Sequence, residues 1–445
     1  MLKTFSIGGV HPQENKLSAH QSIIKAAIPP QVAILLSQHI GAPAKPLVAK
    51  GDTVKVGMKI AELGGFVSAA IHSSVSGKVL KIDNVIDASG YPKPAIIINV
   101  EGDEWEETID RSDTLVKECK FSSEEIIKKL TDCGIVGMGG ACFPTQVKLC
   151  PPPAFKAQCV IINGVECEPY LTADHQLMLE HAEEIMVGVS ILMKAAKVNK
   201  AFIAIENNKP DAIELLKKTA SSYPGIEVVP LKMKYPQGGE KQLIDAVTDR
   251  QVASGALPIS VGVIVQNVGT TFAVYQAIQK NKPLFERVIT ITGNSLAKPS
   301  NLLARIGTPL RQLVDACGGL PDDTGKVISG GPMMGKALIN LDVPMTKGSS
   351  GLLIMNEEEA KRGEIHPCIR CAKCVDACSM GLEPYLLAQL AAHGEFERME
   401  KERIMDCIEC GCCQFTCPSN RPILDYCRLG KNKVGAMIRA RKAKK

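Results

Sequence analysis

The chain has 445 residues, a formal net charge of +5, and a composition that is 45% hydrophobic and 22% charged. That length exceeds what one core organises and predicts two to four domains, while the charge excess is too small to point to nucleic acid. The longest apolar stretches, such as Val261 to Val265 and Ala95 to Ile98, fall far short of the roughly 18 to 20 residues that span a bilayer, so no transmembrane segment is expected. At the N-terminus the sequence reaches Gly8-Gly9 before an apolar signal core builds, which predicts a protein that stays in the cytoplasm.

Residues 1–110 alternate valines with turn glycines, as in Val48, Gly51, Val54 and Gly57 and again in Val75, Gly77 and Val79. Short strands and hairpins follow. The pattern resembles the biotinyl or lipoyl carrier fold, a barrel-sandwich-hybrid-like β module whose hairpin tip would carry a modified lysine. Phe66 to Ile71 occupies that tip without a lysine, so the module is expected to be a scaffold. His11, His20, His39 and His72 lie far apart with no i, i+4 pair, which favours ordinary hydrogen-bonded histidines over a metal site.

Residues 115–255 alternate helix and strand, the mark of an α/β layer on a largely parallel sheet. Ser122 and Glu125 form a capping box ahead of Ile126, Ile127 and Leu130, predicting a helix. The loop Gly137-Met138-Gly139-Gly140 precedes Pro144 and a helix that carries Lys148; glycines admit close approach of a ligand, and amides at a helix start attract phosphate. By itself such a loop is equally a structural turn, and it lacks the G-x-G-x-x-G register. Cys159 to Ile162, Ala201 to Glu206 and Ile226 to Leu231 read as strands, and Gly238-Gly239-Glu240-Lys241 opens another helix. Polar groups at such strand ends are where open α/β sheets bind ligands.

Together, Gly137-x-Gly139-Gly140-Ala141-x-Phe143-Pro144-Thr145-x-x-Lys148, Asn163-x-x-Glu166-x-Glu168-Pro169, Tyr235-x-x-Gly238-x-Glu240 and Asn267-Val268-x-Thr270 resemble the flavin and NADH site of the 51-kDa subunit of respiratory NADH dehydrogenase. The resemblance implies FMN, with Gly137, Gly139, Gly140 and Lys148 on its phosphate side and Asn163, Glu166, Gly238, Glu240, Asn267 and Thr270 lining the rest. It also implies that Phe143 and Glu168 face NAD(H). Met138, Val165 and Gly239 stand where that family has arginine, aspartate and glutamate. A β-grasp-like (SLBB-type) module, which that family carries after its flavin domain, is expected over 256–350, with strands at Val288 to Thr292 and Val327 to Ile328. Its Gly330 to Gly335 turn is read as packing between domains.

Seventeen cysteines occur in the chain, and nine lie between Cys368 and Cys417. With no export signal in view, reduced thiols on metal are expected rather than disulfides. Cys368, Cys371, Cys374 and Cys378 follow C-x-x-C-x-x-C-x-x-x-C, and Cys407, Cys410, Cys413 and Cys417 repeat the spacing 39 residues later. Both quartets are compact, unlike the separated pairs of zinc sites. Over 355–430 this resembles the helical two-cluster ferredoxins, which exchange their fourth ligands. One 4Fe-4S cluster is thereby implied on Cys368, Cys371, Cys374 and Cys417, and a second on Cys407, Cys410, Cys413 and Cys378. Cys412 breaks the register and is expected to be a neighbouring thiol. The other eight cysteines, Cys119, Cys133, Cys142, Cys150, Cys159, Cys167, Cys317 and Cys427, are expected as small buried apolar residues. The acid-free stretch 431–445 reads as a basic tail, either for an acidic partner protein or anionic lipid surface or simply solvated.

The order of these modules, a multidomain α/β and α+β chain, together with Gly8-Gly9-Val10-His11-Pro12 and Gln38 to Ala44, resembles the C subunits of Rnf complexes. Those are membrane-bound ferredoxin:NAD oxidoreductases coupled to Na+ or H+ transport. The resemblance implies a peripheral subunit on the cytoplasmic face of the membrane. It would relay electrons between NAD(H), FMN and two clusters, reach ferredoxin indirectly through other membrane and peripheral subunits, and use no side chain as acid or base. A cobalamin reductase of the propanediol-utilisation type and a ferredoxin-like docking subunit with an empty flavin fold are the other readings.

Overall fold

The structure, a computed structural model, describes residues 2–443; Lys444 and Lys445 of the basic tail lie outside the described residues. Four parallel strands form a sheet in the order Ile226–Leu231, Ala201–Glu206, Cys159–Asn163 and Val263–Asn267. The apolar runs of Ala201–Glu206, Cys159–Asn163 and Val263–Asn267 are buried, as a parallel sheet covered on both faces requires, while the edge strand Ile226–Leu231 is only partly so. The chain steps outward through the first three strands of the sequence and then returns to the opposite side of the first. The strand order therefore reverses between Cys159–Asn163 and Val263–Asn267, and that reversal opens a crevice at their carboxyl ends. Asn163 and Asn267 are register partners at its floor.

On one face the helices Ala182–Ala196 and Val268–Gln279 cross closely. A methyl added to Gly188 would stand 2.3 Å from the Thr271 carbonyl oxygen. The helix Ser123–Asp132 carries the expected capping box, with Ser122 and Glu125 each accepting from the other's backbone amide. Glu240–Thr248 covers the other face through Leu243, Ile244 and Val247.

Toward the N-terminus, the sheet Gln31–Leu35, Pro92–Val100, Gly77–Ile86 and Thr53–Val54 faces a smaller one of Lys45–Pro46, Lys59–Glu62 and Ile71–His72. Val32, Ile34, Ile60, Ile71, Ile96 and Ile98 fill the space between. His39 bonds through Nε2 to Ala42 O and Ser68 Oγ, and burial lowers the pKa of both His39 and His72. These are neutral core histidines. A third, mixed sheet centres on Glu286–Thr292, antiparallel to Ser300–Arg305 and parallel to Gly351–Asn356.

The segment before Gln31 leaves the first module. Ile24–Lys25 pairs with Leu302 and Leu303 of the mixed sheet, and residues 3–16 run along the flavin-type domain. There Val10 and Tyr235 exchange backbone hydrogen bonds in both directions, and Gly9 N donates to Ala377 O at 3.0 Å. Lys347 ties modules in another way. It is fully buried and donates to Ala70 O and Gly134 O at 2.8 and 2.7 Å; desolvation pushes its pKa down to about 7.

The C-terminal module is helical: Lys373–Asp376, Pro384–Ala392, Phe396–Lys401, Cys412–Phe415 and Ile423–Ala443. The last helix runs unbroken through residue 431, where the sequence suggested a separate tail. Arg428 donates to Met334 O, Lys431 to Cys407 O, and Arg441 pairs with Glu400; a frayed terminus is thereby excluded for these residues. Cys150 also departs from expectation, being exposed after the short helix Thr145–Leu149. The Gly188→Ala variant is expected to lose about 1–3 kcal/mol of stability by forcing two helices apart. Thermal unfolding should show it, with Gly65→Ala, whose methyl meets only Ala42 Cβ at 3.4 Å, as the near-neutral control.

Candidate functional site

The glycine loop is pinned at its neck and open at its tip. Gly137 N donates to Phe143 O at 2.8 Å and Thr145 N to Ile135 O at 3.1 Å, while Gly139 and Gly140 stay exposed. A methyl on Gly140 would meet nothing within 4 Å, and one on Gly139 would approach Asn267 Cβ at 3.2 Å. Met138 N donates to Thr270 Oγ1 at 2.8 Å, and Thr270 N donates to Asn267 Oδ1 at 3.2 Å. Through these two bonds the loop is moored to the strand end that borders the crevice. The result is an exposed backbone cradle beside a polar floor, which suits a phosphate-bearing planar cofactor such as FMN.

Lys148 Nζ bonds Glu240 Oε1 at 2.8 Å and Val265 O at 2.9 Å. Asn163 Nδ2 donates to Gly238 O at 2.9 Å, and its oxygen accepts from Val165 N. Glu166, at a positive φ of 47°, accepts from Asp174 N and His175 N and so caps the helix Ala173–Glu180. Asp174 is a site residue that sequence reasoning missed. It accepts from Asn267 Nδ2 at 2.6 Å, and burial followed by repulsion from Glu166 pushes it up to about 7. An acid in the first turn of a helix reads as ordinary capping, so nothing in the sequence flagged it. Arg287, fully buried behind the loop, donates to Lys347 O at 2.6 Å and supplies a counter-charge to Asp174.

Glu168 and Phe143 do not share one environment. Phe143 is half-buried at the neck of the loop. Glu168 points into the mixed-sheet module, accepting from Met334 N at 2.7 Å and Met333 N at 3.2 Å. The Gly330 to Gly335 turn thus wraps this carboxylate; a methyl on Gly331 would lie 2.2 Å from Glu168 Oε2. Tyr235 donates its hydroxyl to Cys410 O at 2.9 Å, with Glu168 Oε1 at 3.4 Å. Burial raises Glu168 to about 7.

Beyond Tyr235 lie the two cysteine loops, which repeat each other's backbone. Arg370 and Ala372 have φ of 56° and 60°, and Glu409 and Gly411, 39 residues on, have 57° and 81°. Cys374, Cys378, Cys407, Cys413 and Cys417 pack in one core, so the two motifs form a single unit. Backbone amides turn inward, Leu382 N to Cys378 Sγ and Glu409 N to Cys407 Sγ, both at 3.4 Å. Among the described residues no three such groups stand close enough to hold one ion, whereas a cubane takes each thiolate on a separate iron and spreads its ligands more widely. An all-sulfur donor set with amide bonds to sulfur fits such a cluster.

Residues 130–276 match the model of the Nuo51 FMN-binding domain, 3–103 the RnfC barrel sandwich hybrid domain, 288–337 the SLBB domain and 367–422 the 4Fe-4S dicluster domain. The chain is 47% identical to the C subunit of the proton-translocating ferredoxin:NAD(+) oxidoreductase complex of Clostridium ljungdahlii, over 100% of this chain and 97% of that one. It belongs to the RnfC family, the C subunits of ion-translocating ferredoxin:NAD(+) oxidoreductases. Another RnfC-type relative, the C subunit of the Na(+)-translocating complex of Acetobacterium woodii, is 43% identical over 97% of both chains. The C subunit of the ion-translocating oxidoreductase complex of Rhodobacter capsulatus is 40% identical over 97% of this chain and 84% of its own. Among the described residues of this RnfC-family chain, no helix is long and apolar enough to cross a membrane.

The raised Glu168 pKa has a sign that can be measured. Between about pH 4.5 and 7 the folded chain holds a proton that the unfolded chain releases, so stability falls as pH rises through that window. The Glu168→Gln variant is expected to flatten that part of the fall, read as thermal midpoint against pH.

Proposed function

We propose that this chain is the NAD(H)-handling, electron-relaying subunit of a membrane-bound ferredoxin:NAD+ oxidoreductase, coupled to Na+ or H+ transport. It works from the cytoplasmic face as a peripheral subunit, with ferredoxin reached through partner subunits. The observation that carries this reading is the single corner at Tyr235, where the flavin-type crevice abuts a cysteine loop through the bond to Cys410 O. A bound FMN would exchange electron pairs with nicotinamide and single electrons with iron-sulfur clusters.

In this reading Gly137, Gly139 and Gly140 leave the backbone open for the FMN phosphate, and Lys148, paired with Glu240, supplies positive charge beside it. Asn163, Glu166, Gly238, Asn267 and Thr270 fix the crevice walls and Phe143 borders the nicotinamide, while Glu168, expected there too, is taken up by the Gly330 to Gly335 turn beside Tyr235. Cys407, Cys410, Cys413 and Cys378 hold the cluster nearer the flavin; Cys368, Cys371, Cys374 and Cys417 hold the outer one. The exposure of Cys371, Arg370 and Lys373 supports the second as the exit toward a partner. The modules expected at 1–110 (carrier-like), 115–255 (flavin), 256–350 (β-grasp-like) and 355–430 (two-cluster) are proposed with one change: Val263–Asn267 and Val268–Gln279 complete the parallel sheet and its cover, so the flavin module runs on to Gln279, and the last module continues as one helix to Ala443.

Anaerobically purified protein is expected to yield about one FMN and about eight irons. Cys378→Ala and Cys413→Ala should then remove the same cluster signal by electron paramagnetic resonance, and Cys374→Ala and Cys417→Ala the other. Loss of one signal by Cys378→Ala together with Cys374→Ala would contradict the ligand exchange.

A further inference from the structure

The loop 166–171 borders the flavin-type crevice and does not hold itself. Glu166 and Tyr170 are both non-glycine residues in the left-handed region, at φ of 47° and 69°, a conformation that persists only where the surroundings impose it. Their loop sends its two carboxylates in different directions, Glu166 to the amides of Asp174 and His175 and Glu168 to those of Met333 and Met334. What fixes the backbone between them comes from far away in sequence. Lys16 Nζ donates to Glu166 O at 2.8 Å, Glu168 O at 2.9 Å and Leu171 O at 2.7 Å. An ammonium has three N–H donors and no acceptor, so all three are used, and all on one loop.

Two neighbours on the same arm add to the grip. Glu14 O accepts from Tyr170 N at 2.8 Å, and Ser18 Oγ meets Thr172 Oγ1 at 2.6 Å. These contacts would tether the arm whatever stood at residue 16, but they bring no positive charge to the carbonyls. Three carbonyl oxygens aimed at one point repel one another unless a cation stands between them, as potassium does among the carbonyls of a channel filter. Here the cation is covalently part of the chain.

We propose that Lys16 is a positioning residue for the flavin-type crevice, its ammonium taking the place of a monovalent cation among three carbonyls of the loop 166–171 and so setting the Glu166 carboxylate at the crevice wall. The inference rests on the crevice holding FMN, as proposed above. Glu166 holds the start of the helix Ala173–Glu180, and on that helix Asp174 accepts from Asn267 Nδ2 at 2.6 Å on the crevice floor. Loss of the ammonium would loosen the loop, then the helix start, then the asparagine.

The test follows FMN leaving the full chain, purified anaerobically with its cofactors and diluted into flavin-free buffer, by the fluorescence of the released flavin. Lys16→Ala is expected to release FMN about tenfold faster, the scale of a lost charged hydrogen bond. Excess methylammonium chloride should bring the rate back toward that of the wild type, because the alanine leaves room for a small N–H-bearing cation. Sodium chloride at the same concentration should not, nor should tetramethylammonium, which has no N–H. Lys16→Met fills the stem without the charge, so it should release FMN fast and gain nothing from methylammonium. A plain tether predicts instead a lower thermal midpoint in both variants and no preference among the salts. Release at the wild-type rate, fast release that methylammonium does not reverse in Lys16→Ala, or equal rescue by sodium overturns the inference. If Lys16→Ala is too unstable to purify, Lys16→Met decides: fast release at an unchanged thermal midpoint supports the clamp, and wild-type release, or a midpoint that falls with it, overturns it. Wild-type chain that carries clusters but no FMN would contradict the flavin reading itself, and the inference with it.

Discussion

The hydrogen bonds of Tyr235 hold the parallel-sheet domain against a cysteine loop, and the rest of the structure depends on that corner. The Tyr235 amide and carbonyl pair with Val10, its hydroxyl reaches Cys410 O, and Glu168 lies beside it, held in turn by the Gly330 to Gly335 turn. Four parts of the chain meet there: the N-terminal arm, the parallel-sheet domain, the mixed-sheet module and the cysteine loops. Buried polar groups in such a place must all find partners, because the low-dielectric surroundings make each unmade bond costly. That requirement fixes the distance between the crevice and the nearer cysteine loop more firmly than an apolar contact would.

The crevice has a comparable logic. Its walls are strand ends whose side chains are spent on one another, Asn163 on Gly238, Asn267 on Asp174 and Thr270, Glu166 on the start of a helix. The glycine tip at Gly139 and Gly140 stays exposed. A site built in this way is rigid before a ligand arrives, so less ordering is required on binding.

How much of this was visible in the sequence depends on the range of the signal. The cysteine loops, the Ser122 capping box and the strands Ala201–Glu206 and Ile226–Leu231 were legible because each depends on residues a few positions apart. The loop glycines and Asn267 were legible as a pattern, though not the mooring of Met138 N on Thr270, which spans 132 residues. Asp174, Arg287 and Lys347 left no trace, since burial of a charge is a property of the folded surroundings and not of neighbours in sequence. The basic terminus looked solvated for the same reason: Glu409 and Glu400, which order Arg428, Lys431 and Arg441, are themselves in other elements.

The arm around Gly9 bears on the order of assembly in the cell. Gly8 and Gly9 touch Cys378 and Ala377, which emerge from the ribosome only after the β sandwich and the parallel-sheet domain have been made. Domains tend to fold as they are synthesised, so this strip must wait, unpaired, until the cysteine-bearing end arrives. Closing the arm is therefore among the last steps of maturation, and a chain stalled before its metal-loading segment would keep that edge exposed as a mark of incompleteness.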